Sequence, residues 1–539
     1  MKFKTKNTFS IVTFLATLFY SKEVTFLYYN STDSPDFQTY FNYFKYFFNE
    51  IENTNREQGL FYYFLNSWNF HLYSDEINSS NFYIYLHKSI QETNFYIYIF
   101  GLIGCYFLLK HFKYSESTIL LSLAFLNLTP FMLASRIVLK PEIIAFGMLP
   151  WIILCFEKFT SERKLLYIYL SIPFILISMS SKGSVFIMLG VFLFIFYFIK
   201  ILKIGTKNLI FLLLIFISLF SLFLFEDSNA NGVNLMELQS GQYESENYNN
   251  KAPLSFIYKL DLYKLLTSPI KYTHSNSVIS ITLLDTFGDY FDLYWDNDSS
   301  FFHEERKSIF RFKETNSIQV PNFDIKEKEL TIYVQKEPDV YLRKFISLNL
   351  SIVFFTLLIM NIRKKNELNK FFIAPLICIG LLLIHVISGF PVNNFDPSKG
   401  DTLKTIYYSF FLGISLLFLC ANLISKSNYR KFSVLPMIFL MVFLIGFPKN
   451  NISENAPAIT NLNSYSTFCE INELTNLYNI KGEGDSLCSK NTKPPVKGFI
   501  NFENYNSYKL KPKFLIINGL MGLFCFASSI FIVRSTRKN

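Results

Sequence analysis

Apolar residues recur along this chain in runs close to the length that crosses the hydrocarbon core of a bilayer, on the order of 17 to 25 residues. Short polar segments separate most of these runs, and three longer polar segments interrupt the series. The pattern predicts a mainly α-helical, polytopic membrane protein with about 12 transmembrane helices. The predicted spans lie near 9–29, 94–110, 117–133, 141–156, 165–180, 184–200, 209–225, 345–362, 371–390, 404–423, 433–448 and 514–533.

Lysine and arginine gather in alternate connecting segments, which with twelve spans all fall on one side of the membrane. These basic segments are 2–6, 110–113, 158–164, 200–207, 363–370, 426–431 and 534–538. The positive-inside rule makes that side cytoplasmic. We therefore expect an integral protein of the cytoplasmic (inner) membrane, with both termini cytoplasmic and the large loops periplasmic or extracytoplasmic. Lys22 and Glu23 interrupt the first run and no small-residue cleavage site follows it, which predicts a retained span.

The long polar segments divide the chain into five parts. An N-terminal membrane module of about seven spans (1–225) contains the outer loop 30–93, and a membrane module of four spans follows at 345–448. Outer segments at 226–344 and 449–513 are predicted to form small mixed structures, and 514–539 holds the last span and a cytoplasmic tail. A strand is predicted within 329–335, and no internal repeat supports a repeat-built transporter.

Composition agrees with a membrane location and argues against a nucleic-acid partner. Of the 539 residues, 51% are hydrophobic and 19% are aromatic, which is too apolar for an ordinary soluble protein of this length. The formal net charge is +10. The cations gather between apolar runs, however, and form no basic stripe interleaved with exposed aromatic residues. The partner predicted from composition is therefore the lipid bilayer.

Two of the seven cysteines lie in soluble sequence, in the same predicted outer loop. A bridge between Cys469 and Cys488 would close a short loop in an oxidising compartment. Two free thiols are the alternative.

The outer loop 30–93 begins with a carboxylate pair beside a predicted helix. Ser34 suits the N-cap, Pro35 the first helical position and Asp36 the first turn. Aromatic residues then recur at helical spacing through 37–51, which predicts an amphipathic helix lying in the membrane interface. Asp33 and Asp36 are candidate catalytic residues, because one carboxylate could deprotonate an acceptor while the other orients it or binds a metal. For Asp36 the alternative is stabilisation of the helix dipole.

A second cluster of charge lies where a short outer turn is predicted. Arg136, Lys140 and Glu142 fall within seven residues, and Lys182 lies at the next outer turn. Charge beside the membrane is costly and is usually retained for a substrate or a proton. The cations are candidate ligands for a lipid-linked phosphate, with Glu142 as a supporting polar group. Snorkelling of the long side chains to water is the alternative.

Two further outer segments carry candidate site residues. Lys399 and Lys404 could add to the same phosphate site, with Asp401 as a supporting group, although a solvated loop explains that turn equally well. Aromatic and acidic residues in 285–298 could contact a sugar or an acceptor, or could anchor the outer segment to the membrane. The candidate contacts there are Asp289, Tyr290 and Trp295. The six scattered histidines have no zinc-ligand spacing, and the acidic segment lacks the full calcium-loop pattern.

This layout resembles the type-C (GT-C) superfamily of integral membrane glycosyltransferases, which includes protein mannosyltransferases and lipid A aminoarabinose transferases. The resemblance rests on the architecture of residues 1–200 and on Asp33-Ser-Pro-Asp36, with 136–142 and Lys182 as support. It implies a sugar donor on polyprenyl phosphate, held by the outer cations, with Asp33 or Asp36 as the base. Here Ser-Pro separates the acids, whereas the best-known members have adjacent acidic residues, so the essential Asp stays open. No cofactor is certain, since only some relatives use a divalent cation.

The function expected from these features is sugar transfer from a polyprenyl-phosphate donor to a glycan, lipid or protein acceptor at the extracytoplasmic face. A surface-polysaccharide polymerase or ligase shares the topology and stays an alternative. A transporter or flippase of lipid-linked sugar is the alternative from another class, although the centres of the predicted spans carry almost no charge.

Overall fold

The computed structural model of the chain is mainly α-helical in the residues that it describes. These are 5–27, 37–48, 59–74, 82–203, 205–231, 252–267, 274, 276–288, 300–302, 307–308, 316–317, 331–332, 337–364, 366–388, 404–426, 430–445 and 512–537. The helices are α1 (Thr5–Leu27), α2 (Phe37–Phe47), α3 (Leu60–His71), α4 (Phe82–His111), α5 (Glu116–Asn127), α6 (Pro130–Ile137), α7 (Glu142–Glu162), α8 (Leu166–Ser181), α9 (Gly183–Leu202), α10 (Thr206–Asn231), α11 (Ser255–Tyr258), α12 (Leu262–Thr267), α13 (Val278–Thr286), α14 (Glu337–Ile362), α15 (Asn369–Ser388), α16 (Ser409–Ser425), α17 (Arg430–Ile445) and α18 (Pro512–Arg537). A 3₁₀ turn, Thr405–Tyr408, leads into α16.

Each predicted span overlaps a helix, except that the predicted span 117–133 is divided between α5 and α6, and fewer than twelve helices are long and apolar enough to cross a membrane. Among the described residues seven helices meet that requirement, or eight if the bent pair α5–α6 is one span. The seven segments are Tyr85–His111, Glu142–Glu162, Gly183–Leu202, Leu342–Ile362, Asn369–Ser388, Thr405–Ser425 and Ile516–Thr536. The helical membrane architecture is therefore confirmed, whereas the twelve-span topology stays a prediction.

Helix α7 forms the centre of the bundle, because 94% of the residues in its most apolar stretch are buried. Helices α4 and α8 pack along it. The approach of α4 depends on Gly147, because a Cβ at that position would lie 2.7 Å from Cγ2 of Ile97. Further along α7 the Trp151 ring stacks on Phe174 at 6.1 Å, and its indole N–H donates to the carbonyl of Phe100. A central helix packed in this way fixes the positions of the charged residues at both of its ends.

Both ends of α7 are set by local sequence. Pro141 precedes the first turn, where Glu142 complements the helix dipole. The helix ends at Arg163, which adopts the left-handed conformation with φ of 59°. Since α8 returns antiparallel to α7, Lys182 after α8 lies at the same end of the bundle as Glu142. We call this the Glu142 end, and the opposite end, which contains Glu157, the Glu157 end.

A sharp bend separates α5 from α6, whose axes differ by 61°. Thr129 precedes Pro130, the first residue of α6. Proline has no backbone N–H to continue the helix, and it restricts the preceding residue to extended conformations. The Thr129 backbone is extended and its hydroxyl donates to the carbonyl of Phe125 at 3.0 Å. This bend directs the C-terminus of α6, which carries Arg136, into the bundle.

The predicted outer segments are only partly described. The described part of 226–344 includes four short strands in two antiparallel pairs, Ser300–Phe302 with Lys307–Ser308 and Asn316–Ser317 with Thr331–Ile332. The last of these falls within the predicted strand 329–335. The predicted outer segment 449–513 lies outside the described residues, except for residues 512 and 513.

Candidate functional site

The strongest interaction at the Glu142 end joins two residues that the sequence singled out. Lys182, in the extended connection between α8 and α9, donates to Oε1 of Glu142 at 2.5 Å. The Glu142 side chain is 0% exposed and that of Lys182 is 19% exposed. The Lys182 ammonium also lies 4.6 Å from the centre of the Tyr407 ring. The pair therefore connects α7 to the α8–α9 connection and to the 3₁₀ turn.

Lys182 keeps its charge in this position. Burial is the largest single influence and would lower the pKa of the ammonium group, but the Glu142 carboxylate, together with Tyr40 and Tyr407, outweighs burial and raises the pKa above the ordinary lysine value. The nearby ammonium of Lys140 opposes this effect, which places a second cation beside the pair. Lys140 itself is 1% exposed.

Glu142 has an oxygen that the ion pair does not use. Its Oε2 atom is buried and has no hydrogen-bond partner within the described part of the chain. A buried carboxylate oxygen without a donor carries a large desolvation penalty. The Glu142 end therefore holds a carboxylate oxygen able to accept a hydrogen bond, next to a lysine with N–H groups to spare.

Arg136 is engaged by the protein itself. Its side chain is fully buried, and its two terminal nitrogens donate to the Ser21 hydroxyl at 3.1 Å and to the carbonyl of Asn127 at 2.9 Å. The guanidinium lies 4.1 Å from the centre of the Tyr98 ring, in a cation–π contact. Its Nε atom has no hydrogen-bond partner among the described residues. Arg136 thus connects α1, α4 and α5 to α6.

Asn94 holds the connection between α6 and α7. Its amide nitrogen donates to the carbonyl of Arg136 at 3.1 Å and to that of Val138 at 2.9 Å. Its side-chain oxygen accepts a hydrogen bond from the Tyr62 hydroxyl at 2.9 Å. The nitrogen and the oxygen of this amide therefore both form hydrogen bonds that position the turn leading to Glu142.

Helices α2 and α3, from the loop predicted to be the first outer one, cover the Glu142 end. The covering is close, because a Cβ on Gly59 would lie 2.0 Å from the carbonyl oxygen of Ser180, two residues before Lys182. The Tyr43 and Tyr63 rings stack at 3.9 Å and join α2 to α3. Burial raises the pKa of the Tyr62 and Tyr63 hydroxyls, and the negative charge of Glu142 adds to the shift.

The helix predicted in the first outer loop is present as α2, which begins at Phe37. The sequence suggested that it lies flat in the membrane interface. Its described side chains are buried within the protein, with Tyr40, Tyr43 and Phe44 all less than 5% exposed, and its position in the membrane interface stays a prediction. The aromatic stripe packs partly against α3.

Lys404 is the other predicted cation that the structure describes. It precedes the 3₁₀ turn and is buried. The next residue, Thr405, donates its backbone N–H to Oδ2 of Asp285 at 2.5 Å, which joins this turn to α13. The 3₁₀ turn that follows Lys404 contacts α6, α7 and α9, and its Tyr407 ring lies 4.6 Å from the Lys182 ammonium. Lys404 therefore lies on the same side of the bundle as the Glu142–Lys182 pair.

The remaining predicted site residues lie outside the described residues. They are the two candidate catalytic carboxylates, a lysine and an aspartate from the loop before Lys404, the candidate sugar contacts and the candidate disulfide. These residues are Asp33, Asp36, Lys399, Asp401, Asp289, Tyr290, Trp295, Cys469 and Cys488. Within the described ranges, no group of three or more His, Cys, Asp or Glu side chains is placed to hold a metal ion.

A second buried ion pair lies at the Glu157 end. Oε1 of Glu157 accepts from both the ammonium of Lys370 and the hydroxyl of Tyr197, which joins α7 to α15 and α9. Lys158, the next residue, lies 3.5 Å from Glu162. The two buried glutamates of α7, Glu142 and Glu157, thus each pair with a lysine from another part of the bundle.

Several residues that build the site were not predicted from sequence. Asn94, Asn127 and Ser21 are polar positions inside or beside apolar runs, and that contrast is the sequence signal that could have identified them. Tyr62 and Tyr407 carry no such signal, because the chain contains 34 tyrosines.

No protein-family model, curated protein or solved structure matches this chain. Its function is therefore inferred from its own residues.

Proposed function

We propose that this chain is a membrane glycosyltransferase that transfers a sugar from a polyprenyl-phosphate donor to an acceptor at the extracytoplasmic face. The observation that supports this most is the buried Glu142–Lys182 pair beside Lys140, at an end of the bundle covered by the first outer loop. A glycan, a lipid or a protein remains the candidate class of acceptor.

The roles of the cations follow from their contacts. Lys182 uses one N–H on Glu142 and is partly exposed, so it can also donate to a phosphate oxygen. Lys140 lies close enough to Lys182 to add a second positive charge. Arg136 donates to Ser21 and Asn127, and we assign it to holding the bent helix and contributing long-range positive potential.

The chemistry requires a base for the acceptor hydroxyl. Asp33 or Asp36 fills that role in the proposal, because both precede α2, which begins at Phe37 and packs on α3 at the Glu142 end. A carboxylate there would take the acceptor proton while the phosphate leaves with the lipid. A requirement for a divalent cation is tested by chelation.

The proposed orientation follows from charge. Basic residues at the Glu157 end, such as Lys158 and Lys164, would face the cytoplasm, with both termini on that side. The Glu142 end would then face the outside of a cytoplasmic membrane, where lipid-linked sugars are used. Twelve spans are needed for this arrangement.

The bent pair α5–α6 supports a second candidate, a transporter of lipid-linked sugar. Broken helices are typical of binding sites in secondary transporters. Here the break brings the buried Arg136 into the bundle. A transporter would move the lipid-linked sugar across the bilayer without attaching it to anything.

The test uses membranes that contain the full chain and a radiolabelled polyprenyl-phosphate sugar pool. We compare the parent with Asp33→Asn, Asp36→Asn and Lys182→Gln at matched expression. The expected result is a loss of about a hundredfold in one Asp variant, the size of a lost general base, and about tenfold or more in Lys182→Gln. Lys370→Gln is the matched control, because Lys370 is also paired with a buried glutamate of α7, at the other end.

Two results would contradict the glycosyltransferase proposal. One is a parent chain that moves labelled lipid across the bilayer but attaches no sugar, which favours the transporter. The other is an equal loss in Lys182→Gln and Lys370→Gln, which would mean that both lysines act only on folding.

A further inference from the structure

The two buried glutamates of α7 differ in how their oxygens are used. Oε1 of Glu157 accepts from both Lys370 and Tyr197, and neither oxygen of that residue is buried without a partner. Oε1 of Glu142 accepts from Lys182, but Oε2 is buried with no hydrogen-bond partner among the described residues. Buried carboxylate oxygens are almost always paired, so an oxygen left without a donor needs an explanation. A water or a ligand group can supply that donor.

The surroundings of Glu142 favour a ligand that carries both a hydroxyl and an anionic group. Lys182 holds Oε1 and is the partly exposed member of the pair, with N–H groups left for an anion. Tyr407 lies under the Lys182 ammonium, and Tyr62 and Tyr63 are close enough for the charge of Glu142 to shift their pKa values upward. A rigid, enclosed carboxylate beside a lysine can therefore bind two adjacent groups of one molecule.

We infer that Oε2 of Glu142 accepts a hydrogen bond from a sugar hydroxyl of the ligand, while the phosphate of the same ligand lies on Lys182. This inference rests on the proposed function and deepens it, because it assigns to Glu142 the recognition of the sugar. The same carboxylate repels a phosphate that brings no hydroxyl. Glu142 thereby selects the sugar-bearing lipid over the bare lipid phosphate that remains after transfer.

The inference is tested by binding to the purified full chain in lipid nanodiscs. The two probes are a polyprenyl monophosphate and the same lipid carrying a hexose, in separate mannose and glucose forms. For the parent we expect at least one hexose form to bind about tenfold or more tightly than the bare phosphate, the size of a hydrogen bond to a charged group.

Glu142→Gln should change the two affinities in opposite directions. The affinity for the hexose lipid should fall about tenfold, because a neutral amide accepts a weaker hydrogen bond than a carboxylate. The affinity for the bare phosphate should rise, because the negative charge beside Lys182 is gone. Glu142→Asp keeps the negative charge but moves the carboxylate oxygens back by one methylene group. This variant should therefore no longer bind the hexose lipid more tightly than the bare phosphate, and its affinity for the bare phosphate should not rise.

Glu157→Gln is the matched control, since it makes the same change in the other buried ion pair of α7. It should leave the ratio of the two affinities at the parent value. Equal losses for both lipids in Glu142→Gln would mean that Glu142 acts only on structure. An unchanged ratio in both Glu142 variants would mean that Oε2 holds only water.

The failure of this inference can be distinguished from failure of the proposed function. A parent that binds both lipids equally overturns the role of Glu142 alone. A parent that binds neither lipid overturns both proposals.

Discussion

The hydroxyl of Tyr62 donates a hydrogen bond of 2.9 Å to the side-chain oxygen of Asn94, which joins the covering helix α3 to the membrane helix α4. The amide nitrogen of the same Asn94 holds the carbonyls of Arg136 and Val138. A single side chain thus connects the first outer loop to the turn that carries Lys140 and Glu142.

Asn94→Ala should lower the free energy of unfolding by about 1 to 3 kcal/mol, because it removes the hydrogen bonds to two buried carbonyls and the one from the buried Tyr62 hydroxyl. Thermal unfolding of the purified protein measures this change. Asn361→Ala is a suitable control, since the Asn361 amide donates to the Leu357 carbonyl of its own helix and is also buried. Similar losses in the two variants would contradict a special role for Asn94.

Arg136→Lys should destabilise the protein by about 2 kcal/mol, although it keeps the charge. A lysine cannot donate to Ser21 and Asn127 at once while its planar group stacks on Tyr98. The melting temperature provides the measurement, with Lys140→Arg as a comparison that also retains the charge. If Arg136→Lys unfolds at the parent temperature but loses sugar transfer, Arg136 contacts the ligand directly.

Gly59→Ala should loosen the cover formed by α2 and α3. The added Cβ would meet the Ser180 carbonyl at 2.0 Å, a distance that backbone atoms cannot tolerate. Hydrogen exchange in Leu60–His71 should therefore increase. Gly183→Ala is the matched control, because a Cβ there has no atom within 4 Å. Unchanged exchange in Gly59→Ala would show that α3 can move away from α8 without loosening.

The pair at the Glu157 end should behave as a buried ion pair. Removing one partner, as in Lys370→Met, should cost about 3 to 5 kcal/mol, because Glu157 is left buried without its counterion. Replacing both partners, as in Glu157→Gln with Lys370→Met, should recover much of that loss. A double-mutant cycle on unfolding measures the coupling, and additive losses would mean that the two residues do not interact.

The stabilisation from the Glu142–Lys182 pair should not depend on pH between about pH 6 and pH 9. The pKa of Lys182 is raised, so its contribution is fully present below the ordinary lysine value of 10.5 and is lost only as the pH rises through the higher folded value. The measurement is the stability difference between the parent and the double variant Glu142→Gln, Lys182→Met across this range. A difference that shrinks before pH 9 would mean that the lysine deprotonates earlier.

The positions of the long helices could be predicted from hydropathy, whereas the start of α4 could not. The sequence predicted a span from 94, but α4 begins at Phe82 and includes the polar residues 91–94. Two of those side chains have partners in α3 or just after it, since Glu92 accepts from Tyr73 and Asn94 from Tyr62. Hydropathy predicts a helix boundary where polar residues begin, but hydrogen bonds to other parts of the fold allow the helix to continue through them.

The site shows the same division between local and tertiary information. The charges of Arg136, Glu142 and Lys182 were visible in the sequence, and two of them do pair. The engagement of Arg136 was not predictable, because its partners Ser21 and Tyr98 come from helices far away in the chain. Hydropathy indicates which charges are unusual, and only the packing determines which of them are already neutralised.

Helix α7 is fastened at both ends, by Lys182 at Glu142 and by Lys370 at Glu157, positions about 22 Å apart along the helix. Sliding the helix along its axis would pull both carboxylates from their lysines at once. Any rearrangement that accompanies ligand exchange is therefore expected in the surrounding helices, while α7 keeps its position. Because the surrounding helices would then move relative to α7, cysteine cross-links between α7 and α4 should abolish sugar transfer in a folded protein, and cross-links that leave transfer intact would contradict this expectation.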